Sequence, residues 1–160
     1  MYAKFNIIER AWDTGPMKRS AGIDGSILGP PIAASPQSFI YQHEVGKDND
    51  GQPMPWSYTT GYFYLAEGED WAFVDQIWPD FKWGYFRHEQ TAQISIGINV
   101  VNSPGDTPIV FGPYTFTQAL QFISTRLRGR QMSFTISGND LGTFSRLGKV
   151  RYRFSQDGRR

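Results

Sequence analysis

Ala92-Gln-Ile-Ser-Ile-Gly-Ile-Asn-Val-Val101 is the stretch that decides the fold class. Ile94, Ile96, Ile98 and Val100 fall on one side of an extended chain, and Gln93, Ser95, Gly97 and Asn99 on the other. A period of two built from β-branched residues is the pattern of a strand with one buried face. Two further stretches repeat it. In Gln131–Ser137, Met132, Phe134 and Ile136 point inward, with Ser133 and Thr135 outward. In Lys149–Ser155, Val150, Tyr152 and Phe154 point inward, with Lys149, Arg151 and Arg153 outward. Three independent alternations predict an all-β protein.

Working outward, shorter strands are expected at Ser38–Glu44, Thr60–Ala66, Trp71–Ile77 and Gly112–Thr117. Glu67-Gly68-Glu69-Asp70 reads as a tight hairpin between the second and third of these, and Pro79 as the end of the third. Asn102 to Pro108 is a loop. Gln118–Arg128 fits a short helix or a strand, since Ala119, Leu120, Phe122, Ile123 and Leu127 suit both periods. The chain has 160 residues, 17 glycines and 10 prolines, enough length for one sizeable core and many turns. The expected fold is therefore an antiparallel β-sandwich-like domain over 38–160, preceded by a strand over 1–12 and an extended arm or long loop over 13–37. Gly15-Pro16, Gly25, Gly29-Pro30-Pro31 and Ser35-Pro36 leave that arm no room for a regular element.

Aromatic residues form 16% of the chain, too many for a disordered tail. Without cysteine there is no disulfide framework and no thiolate metal site. No apolar run reaches the length of a membrane span, and Met1–Arg10, with Lys4, Glu9 and Arg10, does not read as a secretory signal. The net charge of +1 conceals an asymmetry. Residues 44–90 carry nine acids against three bases, and residues 125–160 nine bases against two acids. Such poles serve head-to-tail association between copies, or neutralise each other within one fold.

Catalytic signatures are sparse. His43-Glu44 and His88-Glu89 are not a His-Glu-x-x-His motif, and no third histidine exists to complete a zinc site. Asp48-Asn49-Asp50-Gly51 looks like part of a calcium loop, but Gly46 and Ser57 stand where ligands belong, so an Asp-Gly turn is the better reading. There is no nucleophile elbow or phosphate-binding glycine loop, and Glu67, Glu69 and Asp70 crowd a solvated tip. The pattern argues against an enzyme and calls for no cofactor. Binding surfaces are easier to nominate. Lys149, Arg151 and Arg153 suit phosphates or simply a solvated strand face. Trp56, Trp78 and Trp83 suit a sugar platform, or core and subunit contacts.

Phe39-Ile-Tyr-Gln-His-Glu-Val-Gly-Lys-Asp-Asn-Asp-Gly51 resembles a stretch of the tail nozzle and packaged-DNA stabilisation proteins of short-tailed bacteriophages, which carry Tyr-x-His-Glu-x-Gly-x-Asp-x-Asp-Gly. Thr60-Gly61-Tyr62-Phe63 and Val74-Asp75-Gln76-Ile77-Trp78-Pro79-Asp80-Phe81 are similar to the next motifs of that family. Gly112-Pro113-Tyr114-Thr115, Arg128-Gly129-Arg130-Gln131, Arg146-Leu147-Gly148-Lys149-Val150-Arg151 and Asp157-Gly158-Arg159-Arg160 follow in order. The resemblance runs over most of residues 7–160 and matches the carboxy-terminal part of proteins that are commonly several times longer, often with a β-propeller ahead.

The resemblance implies a virion structural protein made in the host cytoplasm and placed in the tail or neck, in a ring or tube around the DNA exit channel. It implies no active site. The expected partners are other copies of the chain, neighbouring tail, portal or adaptor proteins and, transiently, exiting DNA. A receptor- or carbohydrate-binding module on a phage tail is the alternative. The residues read as interface candidates are Arg126, Arg128, Arg130, Arg151 and Arg153 on the basic side, with Glu44, Asp48 and Asp50 on the acidic side. Planar guanidinium groups bind carboxylates bidentately, which suits these arginines to that acidic segment.

Overall fold

A computed structural model describes residues 1–8, 10–25, 27, 29–68, 70–85 and 92–159, with no side-chain description for Tyr85 and Arg159. The chain is all-β, with thirteen strands and no helix among the described residues. It forms two compact units, Met1–Gly46 and Lys47–Arg160.

In the first unit, β1 (Tyr2–Asn6) and β2 (Ala11–Gly15) form an antiparallel hairpin, and β3 (Ala21–Ile23), β4 (Ile32–Ala34) and β5 (Ile40–Gln42) a three-stranded antiparallel sheet. This departs from the sequence reading in three ways. Residues 1–12 are not one strand, because the chain turns at Ile7-Ile8, where Asn6 Oδ1 accepts the Ile8 N–H. The arm at 13–37 holds the end of β2 and all of β3 and β4. Its glycines and prolines lie chiefly between strands only three residues long, too short for a period to show. β5 then pairs with β4, so the break between units comes after Gly46 and not after residue 37.

The second unit contains two sheets. One has the order β10 (Ile109–Thr117), β9 (Gln93–Val101), β12 (Gln131–Gly138), β6 (Trp56–Thr59), with β7 (Phe63–Tyr64) also pairing β12. The other has the order β11 (Ile123–Gly129), β8 (Asp70–Tyr85), β13 (Thr143–Arg159). All pairings in both are antiparallel. Between the sheets lies a single core. Ile94, Ile96, Ile98 and Val100 of β9 and Met132, Phe134 and Ile136 of β12 meet Ala72, Val74 and Ile77 of β8 and Ile123 and Leu127 of β11. Phe81 and Trp83 extend it toward Phe116, the Trp83 and Phe116 rings stacking at 6.2 Å. This is the β-sandwich-like architecture the alternations predicted.

The segment left between helix and strand is strand β11. Its burial alternates strictly, because it edges a sheet with one face on the core. Pro79 does not end β8, which runs on to Tyr85. It lies beyond the pairing with β11, where β8 has only β13 beside it, and β13 breaks register opposite it between Leu147 and Val150. An open edge and a bulge are where a sheet tolerates a missing N–H. The 67–70 connection is no hairpin either: β7 pairs with β12 and β8 belongs to the other sheet, so the chain changes sheets there. Phe154, expected inward, pairs with buried Val74 yet is left 47% exposed at the rim. Ser133, expected outward, is buried, because β12 is central and Asn99 of β9 donates to its hydroxyl at 3.2 Å.

Candidate interaction surfaces

The chain crosses from β11 to β12 in a single residue, and that corner explains two members of the Arg-Gly-Arg-Gln segment. A Cβ on Gly129 would overlap the Val100 side chain, so only glycine lets the turn close against β9. Arg130 then acts as a brace. Its Nε donates to the Gly68 carbonyl at 3.0 Å, its Nη2 reaches the same oxygen, and its Nη1 donates to the Asn102 carbonyl at 3.2 Å. One guanidinium thus ties together the 67–70 crossover and the loop that follows β9. Arg130 is half-buried and spends its donors inside the chain.

The other four arginines come together. Ser124, Arg126 and Arg128 alternate with buried residues on β11 and so face away from the core. Arg151 sits opposite Trp78 and Arg153 opposite Gln76, across the β8–β13 pairing. Because β8 lies between β11 and β13, Arg126, Arg128, Arg151 and Arg153 all project from the outer face of one three-stranded sheet. Arg128 contacts the Asp157 carboxylate through Nε, donates to the Asp157 carbonyl at 3.1 Å, and lies over the Trp71 ring with its Cζ 4.4 Å from the centroid. Arg153 grips Asp75 bidentately, with Nε 2.9 and 3.1 Å from the two carboxylate oxygens. That hydrogen bond holds the Asp75 carboxyl below the usual carboxylate range and the Arg153 guanidinium above its own. Asp75 lies in the acidic segment and Arg153 in the basic one, so part of the charge asymmetry is neutralised within the fold.

The acidic candidates are divided between the two units. Glu44 belongs to the first unit, where it accepts a hydrogen bond from Lys4 Nζ at 2.9 Å, a contact that raises the lysine's proton affinity. Asp48 and Asp50 belong to the second unit, in a tight turn where Asn49 and Gln52 exchange backbone hydrogen bonds and Asp50 and Gly51 both have positive φ. That is the geometry of an Asp-Gly hairpin turn. The Asp48 carboxylate accepts the Gly51 N–H at 2.9 Å, a local bond that accounts for the residues read as a partial calcium loop. No group of acidic or histidine side chains among the described residues is arranged to hold a metal ion. Of the remaining sequence features, His43 accepts from Arg19 Nε at 3.1 Å within the first unit, while Glu69 and His88-Glu89 lie outside the described residues.

The three tryptophans nominated as a platform are dispersed. Trp83 packs on the core, Trp78 lies on the outer face near Phe122, and Trp56 lies on edge strand β6. Trp56 does line a cleft of about 390 Å³ with Tyr58, Phe81, Ile136, Ser145, Leu147 and Gly148, in the gap where β6 and β13 edge their respective sheets. Sequence reasoning nominated Trp78 but missed the other aromatic members of the outer face on β8, Trp71 and Phe73. In Trp71-Ala-Phe-Val74 every position is apolar, which marks both faces as covered and hides which ring points where. No protein-family model matches the chain, and no curated protein matches it.

Proposed function

We propose that this chain is a structural subunit of a bacteriophage tail or neck, joining other copies of itself and adjoining tail proteins in a ring or tube around the DNA exit channel. One observation carries the assembly part of this reading. Among the described residues, the buried apolar side chains all belong to residues 65–136, while Ile7, Ile8, Trp12, Ile23, Phe39 and Ile40 of the first unit stand largely exposed. Small sheets with uncovered apolar residues gain their stability by covering them against a neighbour. The ordered series of segments that resemble those of the tail nozzle family supports the virion setting, where such neighbours are at hand.

Particles purified from cells producing this protein are expected to contain it at a fixed copy number, and particles made without it to lack a stable tail. A protein that is never incorporated into particles overturns the reading. The alternative, a receptor- or carbohydrate-binding module, is favoured by the cleft beside Trp56 and Tyr58. It requires a saturable glycan-induced change in tryptophan fluorescence that Trp56→Ala abolishes.

A further inference from the structure

The outer face of β11-β8-β13 combines two features that the core does not require. The first is a line of rings. Trp71, Phe73 and Trp78 of β8 are only half-buried, and Phe122, just before β11, brings its ring to within 6.1 Å of Trp78. From Trp71 to Trp78 an extended strand covers roughly 23 Å. The second is positive charge on both flanks. Arg128 is registered with Phe73, Arg151 with Trp78, Arg153 with Gln76 and Arg146 with Lys82, and Arg126 projects from the same side of β11. These cations, with Asp75, Asp80 and Asp157 as the carboxylates beside them, border the rings. Two of those carboxylates are already engaged by Arg153 and Arg128.

We propose that this sheet face binds an unpaired nucleic-acid strand, with bases stacking on the Trp78–Phe122 pair and phosphates meeting Arg126, Arg151, Arg146 and Lys82. The inference is independent of the virion reading. Rings set between cations along a flat sheet suit single-stranded nucleic acid, because every base offers a π-face and every linkage a negative charge. A duplex fits poorly: its bases are shielded, and its major groove admits a helix or a two-stranded ribbon but not a broad three-stranded face. Arg128 and Arg153 position the surface rather than reach outward: the first covers Trp71 and the second is locked to Asp75.

The test is binding of a fluorescent oligothymidylate of about 12 nucleotides, a length within the range of known single-strand sites, to the full chain. Fluorescence anisotropy and tryptophan quenching are read together. Binding should quench tryptophan emission and weaken steadily with salt as counterions are released. Trp78→Ala should reduce affinity roughly ten- to hundredfold, the range for losing one stacked base. Trp78→Phe, which keeps a ring and guards against misfolding, should retain most of the affinity. Arg126→Glu with Arg151→Glu, both at exposed positions, should weaken binding and flatten the salt dependence while leaving the thermal midpoint unchanged. The proposal is overturned if no oligonucleotide binds at low salt. It is equally overturned if duplex DNA binds as tightly and Trp78→Ala has no effect, or if the double variant instead dissolves a self-assembled oligomer, marking the face as a protein interface.

Discussion

Residues 47–160 and residues 1–46 are built from the same kinds of strand residue yet solve different problems. In the second unit nine-residue β9 alternates so regularly that each of its inward isoleucines is buried, and two sheets close over one core. In the first unit the strands are three to five residues long and β3 is exposed throughout. Contacts there are between single pairs of side chains: Tyr2 donates to Asp13 at 3.0 Å, Phe5 packs on Trp12 with centroids 4.9 Å apart, and Arg19 lies over the Tyr41 ring. Strand propensity is therefore not what separates the units. The difference is whether a strand is long enough for its apolar residues to share a face with another sheet, and only then does alternation become core.

The strongest way to break this contrast is to delete the same chemical group from each unit. Ile98→Ala, in the middle of β9, should cost about 2–5 kcal/mol of stability, from lost transfer energy and the cavity left behind. Ile40→Ala in β5, with the isoleucine already 77% exposed, should stay within about 0.5 kcal/mol for the isolated chain. Urea unfolding of both variants measures this directly. A shift for Ile40→Ala comparable to that for Ile98→Ala would show that the first unit has a core of its own.

A sharper version uses glycine, adding one methyl group instead of removing several atoms. Gly129→Ala forces a Cβ into Val100 at the corner between the sheets, and overpacking of this kind costs about 1–3 kcal/mol. Gly22→Ala in β3 meets the Ala33 Cβ at 3.5 Å, an ordinary contact, and should leave the midpoint unchanged. Equal shifts would mean that the crossover relaxes as freely as the short sheet.

The sequence is legible where this contrast predicts. β9 and β12 were readable because their alternation is long and each has one face on the core. β11 was ambiguous because Ile123 and Leu127, four residues apart, satisfy a helical and an extended period alike, and only the pairing with β8 decides between them. Residues 13–37 read as an arm or long loop because Gly-Pro punctuation outweighs strands only three residues long. The surfaces show the same division. Arg126, Arg128, Arg151 and Arg153 were nominated from sequence, but their convergence depends on β8 lying between β11 and β13, a topological fact no local pattern contains. Arg130 belonged to the same run of arginines, and the corner at Gly129 turns it inward as a brace.

The smallest expected effect lies in charge, and it should run in opposite directions in the two units. Asp75 is depressed by its hydrogen bond to Arg153, so its contribution to the second unit is fully present above the ordinary carboxylate value and is lost as pH falls through the lower, folded-state value. Lys4 is raised by its hydrogen bond to Glu44, so its contribution to the first unit is present below the ordinary lysine value and is lost as pH rises through the higher, folded-state value. Both pairs are exposed, and solvent screening keeps either from deciding stability. The shifts themselves remain measurable. Carboxyl carbon resonances should show Asp75 titrating below the ordinary aspartate value, and Arg153→Gln should return it toward that value. If Asp75 titrates at the ordinary value with Arg153 in place, the bidentate pair does not persist in solution. Asp75 and Arg153 would then both be free to meet a polyanion, and the net charge of the outer face of the three-stranded sheet would stay as it is.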